Sequence, residues 1–204
     1  FSPGPAPPHP WADDADRLVV TARRLTPRTG VAELIRAMPL ILAEHPGTRL
    51  AVLGDGGLRE RLEGLIAEHR LQGSVRLFGR VPDEDLLAWY RRADVAVTPT
   101  LELEGFGLAT AEAMACGATP LVTPVGANPE LVATLPDGCL AGGTSPVALA
   151  KAVSARLRDP DAVRGERLPQ AVRHRPRGRL RRRGWFRRVR GGRRRYEHRH
   201  GEGQ

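Results

Sequence analysis

From Arg17 onward the chain alternates between two apolar periodicities, and this alternation narrows the possible folds more than any other feature. RLVVTA (17–22), TRLAVLG (48–54), SVRLFG (74–79), DVAVTPT (94–100) and ATPLVTP (118–124) are short runs too apolar to keep one side wet, as strands buried on both faces are. Between them lie segments with apolar residues at helical spacing: VAELIRAMPLILAEH (31–45), LRERLEGLIAEHRL (58–71) with Gly73 as its cap, and PDEDLLAWYRRA (82–93). Further helices open in EGFGLATAEAMACG (104–117), NPELVAT (128–134) and SPVALAKAVSARLRD (145–159). Strand and helix alternating over about 140 residues predict a doubly wound parallel α/β sheet wrapped by helices on both faces.

A sheet of this kind binds ligands beyond the carboxyl ends of its strands, where loops lead into helix N-termini. The rule selects residues 23–30, 54–57, 79–81, 99–107 and 124–130, every one rich in glycine, arginine or acid. The formal net charge of +9 does not direct these loops toward nucleic acid, because the excess sits in the tail: residues 171–204 hold 14 Arg and 2 Glu, leaving 18 basic and 21 acidic residues before them. Two cysteines, Cys116 and Cys139, are too few for a disulfide framework and lack zinc spacing, which predicts a cytoplasmic setting. No apolar run approaches the roughly 18 residues of a membrane span.

In EGFGLATAEAMACG the amides of residues 105–108 fall at a helix start, where unpaired N–H groups and the helix dipole favour an anion. Glu104 lies just before the helix and Glu112 about two turns into it, up to about 12 Å apart at 1.5 Å per residue. That separation suits two hydroxylated groups joined by a diphosphate. The plainer alternative is that Glu104 offsets the dipole, Glu112 is a solvated helix residue and the glycines make a turn. Small apolar neighbours on both sides of Glu112 argue instead for a half-buried carboxylate that needs a partner, and a ribose would supply one. Arg23, Arg24 and Arg28 converge after the first strand, with the fork geometry that matches phosphate oxygens; alone, this would read as a solvated basic turn. Gly54, Gly56 and Gly57 form a second glycine-rich turn, weak by itself.

Other candidates carry less. Asp13, Asp14 and Asp16 fall in the proline-rich start, Asp83, Glu84 and Asp85 suit a helix start, and His45 and His69 suit helix C-termini. Trp89, Tyr90 and Cys116 read as core.

Taken together, RRLTPRTG, LGDGG, FGRVPDEDLLAWYRRADVAVTPT, EGFGLATAEAMACG and TPVGANPELV resemble the donor half of the retaining, nucleotide-sugar-dependent glycosyltransferases built from two Rossmann-like domains (GT-B type, glycosyl transferases group 1). The resemblance spans about residues 16–158. It implies a Rossmann-like fold, a nucleotide-sugar donor and no metal or other cofactor. It places catalysis on Glu104 and Arg24, with Arg24 on the diphosphate, Glu104 on the transferred sugar and Glu112 on the ribose hydroxyls. Phe106, Gly107 and Leu108 would offer amides to sugar and diphosphate, Gly54 would line the site, and the backbone at Arg80 and Val81 would meet the base. The family's usual lysine is Thr29 here, so Arg28 is expected to supply that charge. A sugar-nucleotide epimerase of similar architecture is the alternative enzyme.

The resemblance divides the chain into a linker (1–15) from an absent acceptor-binding domain, a donor domain (16–160) and an Arg-rich tail (161–204) expected to be disordered. The tail interleaves Trp185, Phe186 and Tyr196 with arginine. As coding sequence it would be an arm for RNA or for peripheral contact with the inner membrane face. The 14 Arg of residues 171–204, with no Lys among them, favour out-of-frame translation of a GC-rich gene, which makes a nucleic-acid partner the weaker expectation.

Overall fold

The computed structural model describes residues 1–5, 11, 17–135 and 139–158. Five strands form one parallel sheet: β1 (Arg17–Ala22), β2 (Thr48–Leu53), β3 (Val75–Gly79), β4 (Val95–Thr98) and β5 (Pro120–Val122), in the order β3-β2-β1-β4-β5. The connecting helices are α1 (Val31–Glu44), α2 (Arg59–Glu68), α3 (Asp83–Arg92), α4 (Leu108–Ala115), α5 (Asn128–Val132) and α6 (Pro146–Arg158). The expected doubly wound, Rossmann-like α/β sheet is what forms.

Strand alternation sends successive side chains to opposite faces, and the two faces are packed differently. Val19, Leu50, Val52, Val95, Val97 and Leu121 meet an aliphatic layer from α1, α2 and α6. Within α1, Val31, Leu34, Ile35, Met38 and Ile41 recur at helical spacing and are all buried. On the other face Leu18, Val20, Ala51, Leu53 and Ala96 meet Trp89 and Tyr90 of α3 and Ala113 and Cys116 around the end of α4. Small strand residues there leave volume for rings: Phe78 lies 4.7 Å from Trp89 between centroids. Trp11, within the segment expected to be a linker, joins this cluster edge-on, 5.4 Å from Phe78 and 6.4 Å from Trp89.

One helix end differs from expectation. Gly73 does not cap α2; the left-handed residue is Arg70 (φ 56°), after which the Leu71 amide returns to the Ile66 carbonyl and the Leu71 side chain is buried. Burying Leu71 decides where the chain turns, and a non-glycine residue accepts the unfavourable φ. Acids open α3 at Asp83, Glu84 and Asp85, and Arg91 and Arg92 close it, as the helix dipole favours.

Asp13, Asp14 and Asp16 and the Arg-rich tail, including Trp185, Phe186 and Tyr196, lie outside the described residues. No helix among the described residues is long and apolar enough to cross a membrane.

Candidate functional site at the switch point of the sheet

The strand order reverses between β1 and β4, since β1 leads outward to β2 on one side and β4 leads to β5 on the other. A crevice opens at such a reversal beyond the carboxyl ends of the two strands. Its walls are the 23–30 loop, which contains a single 3-10 turn at Pro27–Thr29, and the 99–107 loop leading into α4. The loops are tied together by backbone: the amides of Leu101 and Glu102 donate to the Arg28 carbonyl at 2.8 and 3.3 Å.

Two adjoining cavities occupy this crevice. One, of about 320 Å³, is lined by Arg23, Arg24, Arg28, Glu104, Leu108 and Glu112 among others. The second, of about 210 Å³, is lined by Arg23, Arg24, Gly54, Arg80, Val81 and Glu112 among others. Arg23, Arg24 and Glu112 are common to both, so the cavities meet at two guanidinium groups and a carboxylate.

The residues singled out in the sequence differ in what already holds them. Glu104 is engaged on both oxygens. Its Oε2 accepts from Arg23 Nη2 and from the Thr100 hydroxyl, each at 2.7 Å, and its Oε1 accepts the Gly107 amide at 3.1 Å. Burial pushes this carboxyl up, but the Thr100 hydroxyl, Arg23 and the Gly107 amide together outweigh burial and hold it below its ordinary range. Glu112 is half-buried, and its carboxylate has no hydrogen bond or ion pair among the described residues. Burial, reinforced by the negative charge of Asp83, pushes its carboxyl up. The Arg24 guanidinium has no hydrogen bond or ion pair among the described residues either.

Arg28 lines the larger cavity while its Nη1 donates to the Leu103 carbonyl at 3.1 Å. Thr29, at the position of the usual lysine, turns inward: it is buried, and its hydroxyl donates to the Arg24 and Thr26 carbonyls at 2.8 and 2.7 Å. Gly107 caps α4 in the left-handed region, but its amide is held by Glu104. Leu108 and Ala109, whose amides open the helix, line the larger cavity, whereas Phe106 lines neither.

Gly54 contributes by having no side chain. At φ 125° a Cβ there would stand 2.0 Å from the Arg23 carbonyl, so only glycine lets the β2 end pass the arginine loop. Gly126 does the same behind the other loop: a Cβ would lie 2.0 Å from the Glu104 carbonyl, which also accepts the Ala127 amide at 3.0 Å. Thr100 was not singled out by sequence reasoning, and Arg23 turns to Glu104 instead of standing open beside Arg24.

Comparison with known proteins fits this geometry. Residues 9–175 match the family described as Glycosyl transferases group 1. The chain is 37% identical over 178 residues to glycogen synthase of Mycobacterium tuberculosis, covering 79% of this chain and 42% of that protein. It is 34% identical over 149 residues to a GDP-mannose-dependent alpha-(1-6)-phosphatidylinositol monomannoside mannosyltransferase of Mycolicibacterium smegmatis, covering 70% and 39%. Among solved structures, sucrose-phosphate synthase from Thermosynechococcus elongatus is 32% identical with a TM-score of 0.66, covering 75% of this chain and 38% of that one. The C-terminal domain of a glycosyl transferase group 1 family protein from Francisella tularensis is 24% identical with a TM-score of 0.68, covering 79% and 87%. The chain thus spans about two fifths of the length of these curated relatives. With the family matched over most of its length and the sheet order and crevice in agreement, the chain belongs to the glycosyl transferases group 1.

Proposed function

We propose that this chain is the C-terminal, donor-binding half of a retaining glycosyltransferase that takes its sugar from a nucleoside diphosphate sugar. The observation that carries the reading is the pair of unengaged groups where the two cavities meet: the Arg24 guanidinium and the half-buried Glu112 carboxylate. A half-buried carboxylate without a hydrogen bond is unfavourable in the free protein, and two adjacent ribose hydroxyls would satisfy it. Arg24 would meet the diphosphate together with the amides of Leu108 and Ala109, and Arg80 and Val81 would border the base. The match to a solved C-terminal domain along most of that domain's length agrees with this division of the molecule.

Breaking the anomeric bond leaves negative charge on the departing diphosphate and oxocarbenium character on the sugar. Arg24 and the α4 amides lower the barrier by stabilising that leaving group, as fixed dipoles and cations do in a water-poor site. With protein cations in that role the reading requires no metal or other cofactor. Glu104 serves the sugar end, and we assign it no nucleophilic role. The acceptor would bind to a further domain supplied with this one, because a half-site cannot orient the second reactant. The reading extends to a cytoplasmic enzyme that meets membranes only at their surface; since one relative is named for a phosphatidylinositol mannoside, a membrane-borne acceptor is the first to try.

The test is isothermal titration of the full chain with UDP-glucose, GDP-mannose and ADP-glucose. Saturable binding of one nucleotide class is expected; a folded protein that binds none of the three overturns the reading.

A further inference from the structure

Arg23 and Arg24 are adjacent at the end of β1, and both line the crevice, yet only Arg23 is fastened. Its Nη2 donates to Glu104 Oε2 at 2.7 Å and to the Thr100 hydroxyl at 3.1 Å, and that hydroxyl donates onward to the same Oε2 at 2.7 Å. The three groups close a triangle linking the loops after β1 and β4. The Arg23 and Glu104 side chains are only 10% and 11% exposed, so the contact is screened far less than a surface pair. A carboxylate has about four acceptor positions. With Arg23, Thr100 and the Gly107 amide in place, the chain itself fills most of those on Glu104.

We propose that Arg23 is a positioning residue for sugar transfer that acts through Glu104: it locks the carboxylate against Thr100, and the carboxylate in turn holds the Gly107 amide and fixes the first turn of α4. The consequence lies one residue further on, at Leu108, where α4 opens toward the larger cavity. Arg23 is unsuited to the part taken by Arg24, because its charge is already offset by a carboxylate in contact. Its Nε is buried without a partner, an unfavourable state that the engaged Nη2 end of the same guanidinium sustains. Gly126 and Ala127 brace the other side of Glu104 through its main chain, so the carboxylate is fixed from two directions.

The inference rests on the donor-binding reading, and its test separates the two. In the full chain, the best-bound of UDP-glucose, GDP-mannose and ADP-glucose serves as probe in a double-mutant cycle. Arg23→Ala and Glu104→Gln are each expected to weaken binding about tenfold, and the double variant to stay within about twofold of either single. Arg23→Lys, which keeps the charge but loses the planar fork, should return to within about threefold of wild type. Should Arg23→Ala fail to fold by circular dichroism, Arg23→Gln takes its place in the cycle. Losses that multiply to about 100-fold in the double variant would mean that Arg23 acts on the ligand directly, and would overturn the proposal. So would singles that bind as wild type does.

A second readout needs no ligand. Arg24, Arg28 and Glu112 are the other charged groups lining the larger cavity, and none of them is in hydrogen-bond contact with the Glu104 carboxylate. Removing Arg23 should therefore raise the midpoint of the Glu104 carboxyl resonance in a pH titration followed by carbon-detected NMR, and should speed hydrogen exchange at the Gly107 amide. An unmoved midpoint overturns the inference whether or not nucleotide binds. Absence of nucleotide binding in the wild type, with the midpoint shifted, sinks the donor reading and leaves the coupling standing.

Discussion

Two arginine–glutamate sets share one crevice, and they stand in opposite states. Arg23 Nη2 and the Glu104 carboxylate engage each other, with Thr100 and the Gly107 amide filling further contacts of that carboxylate. The Arg24 guanidinium and the Glu112 carboxylate, lining the same cavity, have no hydrogen bond or ion pair among the described residues. The residue types are identical; what differs is whether the chain or something else completes the contacts. A closed set fixes geometry before a ligand arrives. An open set keeps the unfavourable half-buried carboxylate that a ligand can relieve.

The comparison can be broken most forcefully through the backbone behind the closed set. Gly126 has φ 57°, and a Cβ there would meet the Glu104 carbonyl at 2.0 Å. Gly126→Ala is therefore expected to lower stability by about 3 kcal/mol or more in denaturant unfolding; wild-type stability would show that the Glu104 loop is free to shift. Next in size, Arg23→Ala should lower stability by about 2 kcal/mol, because it leaves Glu104 nearly buried without its cation. Glu112→Gln should change stability by less than about 0.5 kcal/mol in either direction, since no contact is lost. Equal losses at both positions would erase the distinction between the sets.

The smallest effect is in the pH dependence of stability, where the two carboxylates should act with opposite sign. Glu104, held below its ordinary range, stabilises the fold above its unfolded pKa, and that contribution is lost as pH falls through its folded value. Glu112, pushed up, favours the fold when protonated, and its contribution is lost as pH rises through its folded value. Arg23→Ala should therefore flatten the acid limb of a stability profile, and Glu112→Gln should remove a decline on the higher-pH side. Identical profiles for wild type and both variants would contradict the assigned environments.

Much of the fold was legible because its signals are local. Strands such as RLVVTA and TRLAVL are apolar at most of their buried positions, with Thr21 and Thr48 as the polar exceptions, and both faces of the sheet are in fact covered. Glu112 was legible for a related reason: small apolar neighbours cannot solvate a carboxylate. The Arg23–Glu104 contact was not legible. Two adjacent arginines look alike in sequence, and which one turns toward Glu104 depends on β4 lying beside β1, a pairing set by the whole sheet order. The end of α2 failed similarly, because burial of Leu71 outweighed the preference of glycine for a left-handed cap. The inward turn of Thr29 likewise depends on carbonyls that only the folded 3-10 turn brings within reach.

The central claim is that the open set is the donor-binding set, and titration calorimetry of wild type against Glu112→Ala with UDP, GDP and ADP examines it with least intervening assumption. Binding of the preferred nucleoside diphosphate should weaken by about tenfold or more in the variant, on the scale of a lost charge-assisted hydrogen bond. Affinity unchanged in a folded Glu112→Ala protein would remove Glu112 from the site and contradict the account.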